Sequence, residues 1–525
     1  MNTAYQLAAR LPKGAPPGSL ERTQHPNYGQ KATFIRRAAS IILLALFAVT
    51  PVACASGGSR DGSAATAGDA VTGALQGEIT VTCYNTMYYS KYLTEAAGLF
   101  ESAHPGTKIN IAYFSQMPEY IPTEGGGSLI VLPDADPPAE VDYISRVSAQ
   151  MMSDRGPDIL AMDVLPYYKY ADGGFLEDLR GYMEADADFN AGLYRSNIIE
   201  AMRYKGGQYV MPLDFGYMFM AFDPEVVDAA TVSKLRTKDT WTWQELVGLI
   251  REQYAADDSD ARAFNFTESA PDAFRRLLYP NDYDLFVDLE NRKAHFDDGR
   301  FARLLDELEA LRRDDYFRPE FSSEDELIQD ILYSTRDYYY RFDIDMSVKY
   351  WFVDRGPGTV RDPGRDAFAG LVANDAGQVL VRNYQSYGIN ANSKNKALAW
   401  AFLKCLLGDE MQQSYNLLGL PVNNAAFLEK AKVNLTLQPN MIVLEEGGYG
   451  VDGYQDVTDE KTLQAYEDYL AFQEEIIPCL NHYPIVDRII TDMVDKETAL
   501  FFDGTKSEQE VADTLQRRVQ LYLDE

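Results

Sequence analysis

The chain has 525 residues, of which 80 are acidic and 48 basic, so its formal net charge at pH 7 is -32. Such an acidic surface cannot neutralise phosphates over a broad face, which excludes nucleic acid as a partner. The composition, 46% hydrophobic and 24% charged, is that of a globular protein, and the length favours two domains of a few hundred residues each.

The N-terminal region predicts export. Arg36 and Arg37 precede an apolar run at 41–49, and small residues follow it up to Cys54. This is the arrangement of a secretory signal, and the run is too short to span a bilayer unaided. We therefore assign residues 1–53 to a signal region. Residues 54–76 are rich in Gly, Ser, Ala and Thr without periodicity and predict a flexible tether.

The folded part is predicted to begin at Gly77 with a β-branched strand that ends at Tyr84 and Asn85. Apolar residues at helical spacing follow at 93–100, and a second strand alternates through 109–113. This order predicts a strand, helix, strand unit of a parallel sheet. A buried strand then delivers Asp163 at its carboxyl end, where ligands gather in open α/β sheets.

The stretch at 210–224 is apolar, but Pro212 and Gly216 interrupt it, and Asp214 and Tyr217 add polar groups. We interpret it as a strand that leaves one lobe and enters another, with a ligand cleft beside Asp214 and Tyr217. The alternative is that Asp163 and Asp214 each cap a helix or order a loop without touching a ligand.

No catalytic or metal motif is evident in the sequence. Besides Cys54, the three cysteines Cys83, Cys405 and Cys479 suggest no disulfide framework, and the four histidines share no metal spacing. We therefore expect a non-enzyme without metal or cofactor. A secreted glycosidase remains an alternative, because paired carboxylates could lie among so many acids. A purely structural or adhesive lipoprotein is a further alternative.

Several short motifs occur in a characteristic order. These are Ala53–Cys54, Gly156–Asp163, Gly174–Leu179, Tyr209–Pro224, Thr240–Leu246, Ser386–Ser393 and Gly419–Asn423. In order and spacing they resemble the extracellular solute-binding proteins of ABC transporters, most closely the carbohydrate-binding branch, over essentially residues 77–525. Ala53–Cys54 resembles the lipobox of bacterial lipoproteins, although Pro51 departs from that pattern. The alternatives to lipidation at Cys54 are plain secretion and a signal anchor.

The resemblance implies an α/β fold of two lobes, the class II type of periplasmic binding proteins. Each lobe would have a mixed, mostly parallel sheet flanked by helices, and the chain would cross the hinge several times. We expect an N-terminal lobe of residues 77–213 plus 345–407 and a C-terminal lobe of residues 214–344 plus 408–525.

The resemblance also implies a ligand site. A pyranose needs an aromatic plate for its C–H face and planar polar groups for its hydroxyls. Trp351 is the foremost candidate, because the equivalent segment of the family offers an aromatic to the sugar. The full expected set is Trp351, Tyr350, Tyr217, Tyr84, Tyr387, Tyr483, Asp163, Asp214 and Asn85.

The function implied is that of a lipid-anchored, monomeric binding protein on the outer face of the cytoplasmic membrane. It would capture a small solute, foremost a neutral sugar or oligosaccharide, and deliver it to the permease subunits of an ABC importer. The acidic net charge disfavours anionic solutes in this interpretation.

Overall fold

The computed structural model describes residues 75–86, 89–116, 119–122, 128–131, 140–153, 155–217, 219–222, 229–235, 237–255, 262–264, 270–314, 340–343, 367–414, 416–443, 449–456 and 460–524. The predicted signal, most of the tether and Cys54 lie outside these residues. So do Tyr350 and Trp351, two of the predicted ligand aromatics.

The first sheet has five strands in the order β2-β1-β5-β15-β6. Its strands are β1 (Gly77–Asn85), β2 (Thr107–Ser115), β5 (Ile159–Ala161), β6 (Met211–Pro212) and β15 (Ser386–Ile389). β1 is parallel to β2 and β5, whereas β15 is antiparallel to β5 and β6. The mixed sheet of the predicted first lobe is therefore confirmed.

The first strand and helix follow directly from the sequence pattern. Val81 and Cys83 alternate onto one buried face of β1. Helix α1 (Ser90–Ala103) buries Leu93, Ala96 and Phe100, which recur at helical spacing. Because α1 connects two neighbouring parallel strands, the predicted strand, helix, strand unit is confirmed.

The second sheet has five strands in the order β10-β13-β8-β14-β9. Its strands are β8 (Phe219–Phe222), β9 (Thr240–Thr242), β10 (Arg262–Phe264), β13 (Tyr340–Asp343) and β14 (Ala367–Ala373). β8 is antiparallel to β13 and β14, and the pairs β10 with β13 and β14 with β9 are parallel.

The position of β14 differs from the lobe boundaries drawn from the sequence. We placed residues 345–407 in the N-terminal lobe, but β14 hydrogen-bonds with β8 and β9 in the second sheet. The strand of that range that pairs in the first sheet is β15. The apolar run of β14 predicts that these residues form a strand. It does not predict which strands β14 pairs with, because that depends on residues far away in the sequence.

Four short antiparallel ladders complete the strands. They are β3 (Glu119–Pro122) with β4 (Ser128–Val131), β7 (Asp214–Phe215) with β16 (Leu420–Pro421), β11 (Val287–Asp288) with β12 (Lys293–Ala294), and β17 (Leu437–Val443) with β18 (Tyr449–Asp456).

Helices flank the sheets. The α-helices after α1 are α2 (Glu140–Met152), α3 (Tyr167–Asp172), α4 (Arg180–Ala185), α5 (Ser196–Ala201), α6 (Ala229–Leu235), α7 (Trp243–Ala255), α8 (Ala270–Ala273), α9 (Tyr279–Phe286), α10 (Arg300–Arg313), α11 (Lys396–Leu407), α12 (Asp409–Gln413), α13 (Asn424–Thr436), α14 (Glu460–Ile476), α15 (Arg488–Phe502) and α16 (Glu508–Asp524). A π-helical segment, Phe274–Leu278, joins α8 to α9. None of the helices in the described part of the chain combines the length and apolarity that a membrane crossing requires.

Two segments carry the chain between the sheets. The first runs from β6 through β7 to β8, so the prediction that the stretch at 210–224 leaves one sheet and enters another is confirmed. The second returns from β14 to β15, and within it Val381 donates its N–H to the carbonyl of His482. The two segments also pair with each other, because Gly216 and Arg382 exchange backbone hydrogen bonds of 2.8 Å in both directions.

Candidate functional site

A cavity of about 430 Å³ lies beside the second crossing segment, between the end of β5, α9 and the start of α15. Its lining includes residues 162–167, which follow β5, and residues 380–384 of the second crossing. It also includes Arg275 of the π-helical segment and Tyr279, Pro280 and Tyr283 of α9. The remaining lining residues are 483–486, just before α15, and Arg488 and Thr491 within it. A volume of this size holds a small organic molecule.

Asp163 lies in this cavity, two residues after the end of β5. Its side chain is exposed to water at the edge of the surrounding lining residues. Desolvation by these neighbours raises the pKa of Asp163 to about 6, with Glu140 adding to the rise, while the nearby Tyr89 hydroxyl and Val164 N–H oppose it. The predicted delivery of Asp163 by a buried strand is confirmed.

Asp214 has a different position from the one expected. It is fully buried and accepts hydrogen bonds at Oδ1 from the backbone N–H groups of Tyr384 and Gln385, at 2.9 and 3.1 Å. The Asn383 amide also donates to Oδ1 at 3.1 Å, and the Gly419 N–H donates to Oδ2 at 3.0 Å. Asp214 therefore orders the second crossing segment, which is the alternative that the sequence left open, and it does not line the cavity.

Lys430 is a buried cation whose charge acts on Asp214. Its ammonium donates to the carbonyl oxygens of Ser414 and Leu417 at 3.2 and 2.8 Å. Burial lowers the pKa of Lys430 to about 8, against the opposing attraction of Asp214. Burial raises the pKa of Asp214 to about 6, while the three backbone N–H groups that bind it and Lys430 oppose the rise.

Two predicted aromatics are also buried away from the cavity. Tyr217 is only 1% exposed, and its ring stacks on Phe215 with centroids 6.5 Å apart. Tyr387 is fully buried and lies edge-on to Tyr89 at 6.4 Å. The prediction that either ring is a plate for a sugar is therefore corrected. All residues from 211 to 217 are buried, so the segment has no solvent-facing side on which a plate could stand.

The end of β1 packs against α2 instead of the cavity. The Tyr84 ring lies 5.6 Å from the Tyr143 ring and 6.5 Å from the Phe114 ring. Asn85 is 7% exposed and pairs with Ser115 of β2. Neither Tyr84 nor Asn85 is among the described residues that line the cavity.

Five tyrosines line the cavity, and the two that are not fully buried are Tyr483, which the sequence predicted, and Tyr384, which it did not. Both rings are half-buried. Burial raises the pKa of Tyr483 to about 12, so its hydroxyl stays protonated at neutral pH. Tyr384 packs over Gly216, where a Cβ atom would lie 3.3 Å from the ring. The missing side chain of Gly216 therefore makes room for the Tyr384 ring.

Three arginines also line the cavity and were missed: Arg275, Arg382 and Arg488. Arg275 lies in the π-helical segment, a feature that often marks functional sites. Arg382 lies in the second crossing and is positioned by its backbone bridge to Gly216. In the sequence each looks like a solvated surface charge.

The lining offers little for catalysis or metal binding. Asp163 is the one carboxylate among the described lining residues, and the nearby Glu140 is held in an ion pair with Arg488. Across the described ranges, no group of three or more His, Cys, Asp or Glu side chains could hold a metal ion. The cavity provides the aromatic faces of tyrosines, the planar N–H donors of arginines and one carboxylate acceptor, Asp163.

Comparison with known proteins agrees with this architecture. Residues 85–278 match the family model described as bacterial extracellular solute-binding protein. No protein of curated function matches the chain. Three solved structures illustrate the likeness in fold.

An ABC substrate-binding protein from Listeria monocytogenes, solved with cycloalternan, is 15% identical at a TM-score of 0.51, over 86% of this chain and 100% of that chain. The GacH receptor of Streptomyces glaucescens, solved unliganded and with acarbose, is 16% identical at a TM-score of 0.51, over 86% and 99%. The sugar-binding protein MalE of Xanthomonas citri is 12% identical at a TM-score of 0.55, over 85% and 98%.

At these identities the structural likeness establishes the fold, which is the predicted two-lobe, class II α/β fold. The matched family and the three structures are those of binding proteins. Over residues 85–278 the chain is therefore similar to the bacterial extracellular solute-binding proteins, and its described residues share the fold of the three structures.

Proposed function

We propose that the chain is the extracellular solute-binding component of an ABC importer and that it captures a saccharide. The observation that carries this proposal is the cavity beside the second crossing segment, because its lining joins the end of β5 in the first sheet to α9 and the start of α15. A solute bound there contacts both lobes at once. Binding then stabilises the closed arrangement relative to the open one, because the solute makes more contacts with the protein in the closed arrangement.

The chemistry of the lining suits a sugar. Tyr384 and Tyr483 offer aromatic faces for the C–H side of a pyranose, and Asp163 can accept hydrogen bonds from hydroxyl groups. Guanidinium groups add planar donors. The structural relatives solved with cycloalternan and acarbose support a saccharide as the class of solute.

The crossing segments supply the hinge in this proposal. Asp214 binds the second crossing through three consecutive residues, and Gly216 pairs with Arg382. When the lobes rotate, the backbone on either side of these hydrogen bonds would bend. The hydrogen-bonded region itself would keep Tyr384 and Arg382 in place. The site is preorganised by contacts outside it, which lowers the ordering cost of binding.

The rest of the proposal concerns location and partners. Signal cleavage and acylation of Cys54 would attach the monomer to the outer face of the cytoplasmic membrane, and the tether would keep it beside the permease subunits. The extracellular description of the matched family supports this location. Trp351 and Tyr350 remain proposed ligand aromatics, together with Asp163 and Tyr483.

A thermal-shift screen against mono- and oligosaccharides, with amino acids and peptides as the contrast, tests the proposal. A saccharide at about 100 times its dissociation constant should stabilise the folded protein by about 2.7 kcal/mol, with no product formed. Tyr384→Ala should remove the shift. Tyr194→Ala, whose ring stacks on Phe189 away from the cavity, is the matched control and should keep it.

Two results would contradict the proposal. Release of reducing sugar would favour the glycosidase, and the absence of any shift across the saccharide panel would favour an adhesive role. Stabilisation by peptides alone would leave a binding protein but refute the saccharide.

A further inference from the structure

A buried carboxylate lies next to the cavity lining. Asp487 is 3% exposed and comes between two lining residues, Val486 and Arg488, but it does not line the cavity itself. Its Oδ1 accepts a hydrogen bond from the backbone N–H of Ile489 at 2.8 Å and so caps the N-terminus of α15. One oxygen of the carboxylate is thus used to begin a helix. The other oxygen, Oδ2, has partners from distant parts of the chain.

Oδ2 of Asp487 binds side chains from two other helices. The hydroxyl groups of Tyr168 in α3 and Tyr522 in α16 donate to it, the latter at 3.0 Å. The ammonium group of Lys169 lies 3.2 Å from the same oxygen. Burial alone would raise the pKa of Asp487, but Lys169 and these hydrogen bonds hold it below its usual range. The carboxylate is therefore ionised at neutral pH.

The backbone of Asp487 contacts a further helix. Its N–H donates to the hydroxyl oxygen of Tyr283 at 3.0 Å, and Tyr283 belongs to α9 and lines the cavity. Tyr168 follows directly after the lining segment 162–167. Asp487 itself lies within the lining segment 483–491, whose helix it caps. This one residue therefore connects three walls of the cavity, namely 162–167, α9 and 483–491.

The three walls are far apart in the sequence. Helix α3 follows β5 of the first sheet, whereas α9 lies between β10 and β13 of the second sheet along the chain. Tyr168 and Asp487 are 319 positions apart. Hydrogen bonds to an ionised group are stronger than those between neutral groups, so one buried carboxylate can hold the walls together. Walls that are already in place lose less conformational freedom when a solute binds.

We propose that Asp487 is a positioning residue of the solute site: it holds the three walls in place and thereby sets the affinity, without contacting the solute. The proposal rests on the saccharide-binding function above. The role differs from that of Asp214, which binds the second crossing segment. Without the Asp487 carboxylate, α3 is released from the start of α15. The solute must then order the walls as it binds, which weakens its affinity.

The first measurement is the solute affinity of folded variants. The probe is the mono- or oligosaccharide that gives the largest thermal shift with the wild type. It is titrated by calorimetry at a temperature at which circular dichroism shows every variant to be folded. Asp487→Asn should raise the dissociation constant about tenfold or more, because its neutral amide does not attract Lys169 and accepts weaker hydrogen bonds. Tyr168→Phe, which removes one donor, should raise it about three- to fivefold.

Asp186→Asn is the matched control. Asp186 is also a buried carboxylate, 4% exposed, and it accepts from the indole N–H of Trp400 at 2.8 Å and pairs with Lys404 at 2.5 Å. These three residues do not line the cavity. Both aspartate variants should lower the melting temperature, but only Asp487→Asn should raise the dissociation constant. A role in stability alone would leave the dissociation constant of both folded proteins unchanged.

Two further readouts locate the effect in the network around Asp487. If Asp487 and Tyr168 act together, the double variant should bind no more than about twofold more weakly than Asp487→Asn alone. Hydrogen exchange of the ligand-free protein should be faster at 162–172 and 483–491 in Asp487→Asn. It should be unchanged at both segments in Asp186→Asn.

The outcomes separate the two proposals. If the wild type binds a saccharide and folded Asp487→Asn binds it equally tightly, the positioning role is refuted while saccharide binding stands. If Asp186→Asn weakens binding as much as Asp487→Asn does, the effect is one of general stability and the positioning role is also refuted. If no saccharide binds the wild type, the saccharide proposal fails. In that case faster exchange at both segments in Asp487→Asn supports the positioning role for another solute, and unchanged exchange refutes it.

Discussion

Arg488 and Glu140 form an ion pair that joins the two sides of the cavity. Arg488 begins α15, and Glu140 begins α2, the helix that leads into β5 of the first sheet. Helix α15 packs against α16, which in turn packs against α10 and β12 after the first crossing. The pair therefore links elements that belong to different lobes of the fold, next to the proposed ligand site.

Removing this ion pair should loosen the closed arrangement. The two side chains are about half and one third exposed, so the pair contributes about 0.2–1 kcal/mol. Glu140→Gln should weaken solute affinity by up to about fivefold and increase the scattering radius of the ligand-free protein. Titration calorimetry and small-angle scattering measure the two effects. The control is Glu200→Gln, which breaks the ion pair between Glu200 and Arg203 and should change neither the affinity nor the radius.

If Glu140→Gln leaves both the radius and the affinity at the wild-type values, the ion pair does not influence lobe opening.

Loss of the Asp214 carboxylate should destabilise the protein. Asp214→Asn replaces an oxygen that accepts from backbone N–H groups with an amide that donates, so at least one buried N–H loses its partner. We expect a loss of about 2–4 kcal/mol in the free energy of unfolding, measured by urea denaturation. Asp172→Asn, which removes an exposed pair with Lys205, should cost no more than about 1 kcal/mol. Equal losses in the two variants would show that Asp214 is not a structural anchor.

A methyl group at Gly216 should disturb the site without unfolding the protein. The Cβ of Gly216→Ala would lie 3.3 Å from the Tyr384 ring, and the flexible ring can shift away. Solute affinity should fall by about three- to tenfold, while stability changes by less than about 1 kcal/mol. Gly98→Ala in α1 meets open space and should stabilise the fold by about 0.5–1 kcal/mol with unchanged affinity. Unchanged affinity in Gly216→Ala would remove Tyr384 from the proposed site.

The sequence predicted the parts of this protein that local pattern encodes. The alternation of β1, the helical spacing of α1 and the position of Asp163 after a buried strand all follow from residues that are close in the chain. The crossing at 210–224 was recognisable because Pro212 and Gly216 interrupt an apolar run. Which residues of that run face a ligand was not recognisable, because every side chain from 211 to 217 is buried and alternation carries no information there.

The cavity itself depends on contacts between distant parts of the chain. Arg275, Arg382 and Arg488 converge only because the π-helical segment, the second crossing and the start of α15 meet in the fold. Asp214 binds residues about 170 positions away, which no local pattern signals. Tyr384 and Tyr387 are only three positions apart in the sequence. Tyr384 lines the cavity, whereas the Tyr387 side chain is buried in β15 of the first sheet.

The affinity for the saccharide should depend on pH through Asp163. Its pKa of about 6 lies above the ordinary aspartate value, so it loses its negative charge as the pH falls from 7 to 5. Protonation weakens the hydrogen bonds that Asp163 accepts from the solute hydroxyls, because an ionised acceptor binds them more strongly than a neutral one. Of the groups around Asp163, Glu140 adds negative charge, and the hydroxyls of Tyr89 and Tyr483 stay protonated.

The dissociation constant should therefore rise several-fold from pH 7 to pH 5 in the wild type and stay nearly constant in Asp163→Asn, as measured by titration calorimetry at matched ionic strength. A dissociation constant that stays constant or falls in the wild type as the pH falls would show that the ionised Asp163 does not accept hydrogen bonds from the solute.

The central claim is that the solute binds in the cavity lined by the end of β5, α9 and the second crossing segment. It is tested most directly by titration calorimetry of the wild type and Tyr384→Ala with the saccharide that gives the largest thermal shift. The account predicts one site per chain in the wild type and a dissociation constant at least about tenfold higher in the variant, equivalent to about 1.4 kcal/mol. An unchanged dissociation constant in a folded Tyr384→Ala protein would contradict it.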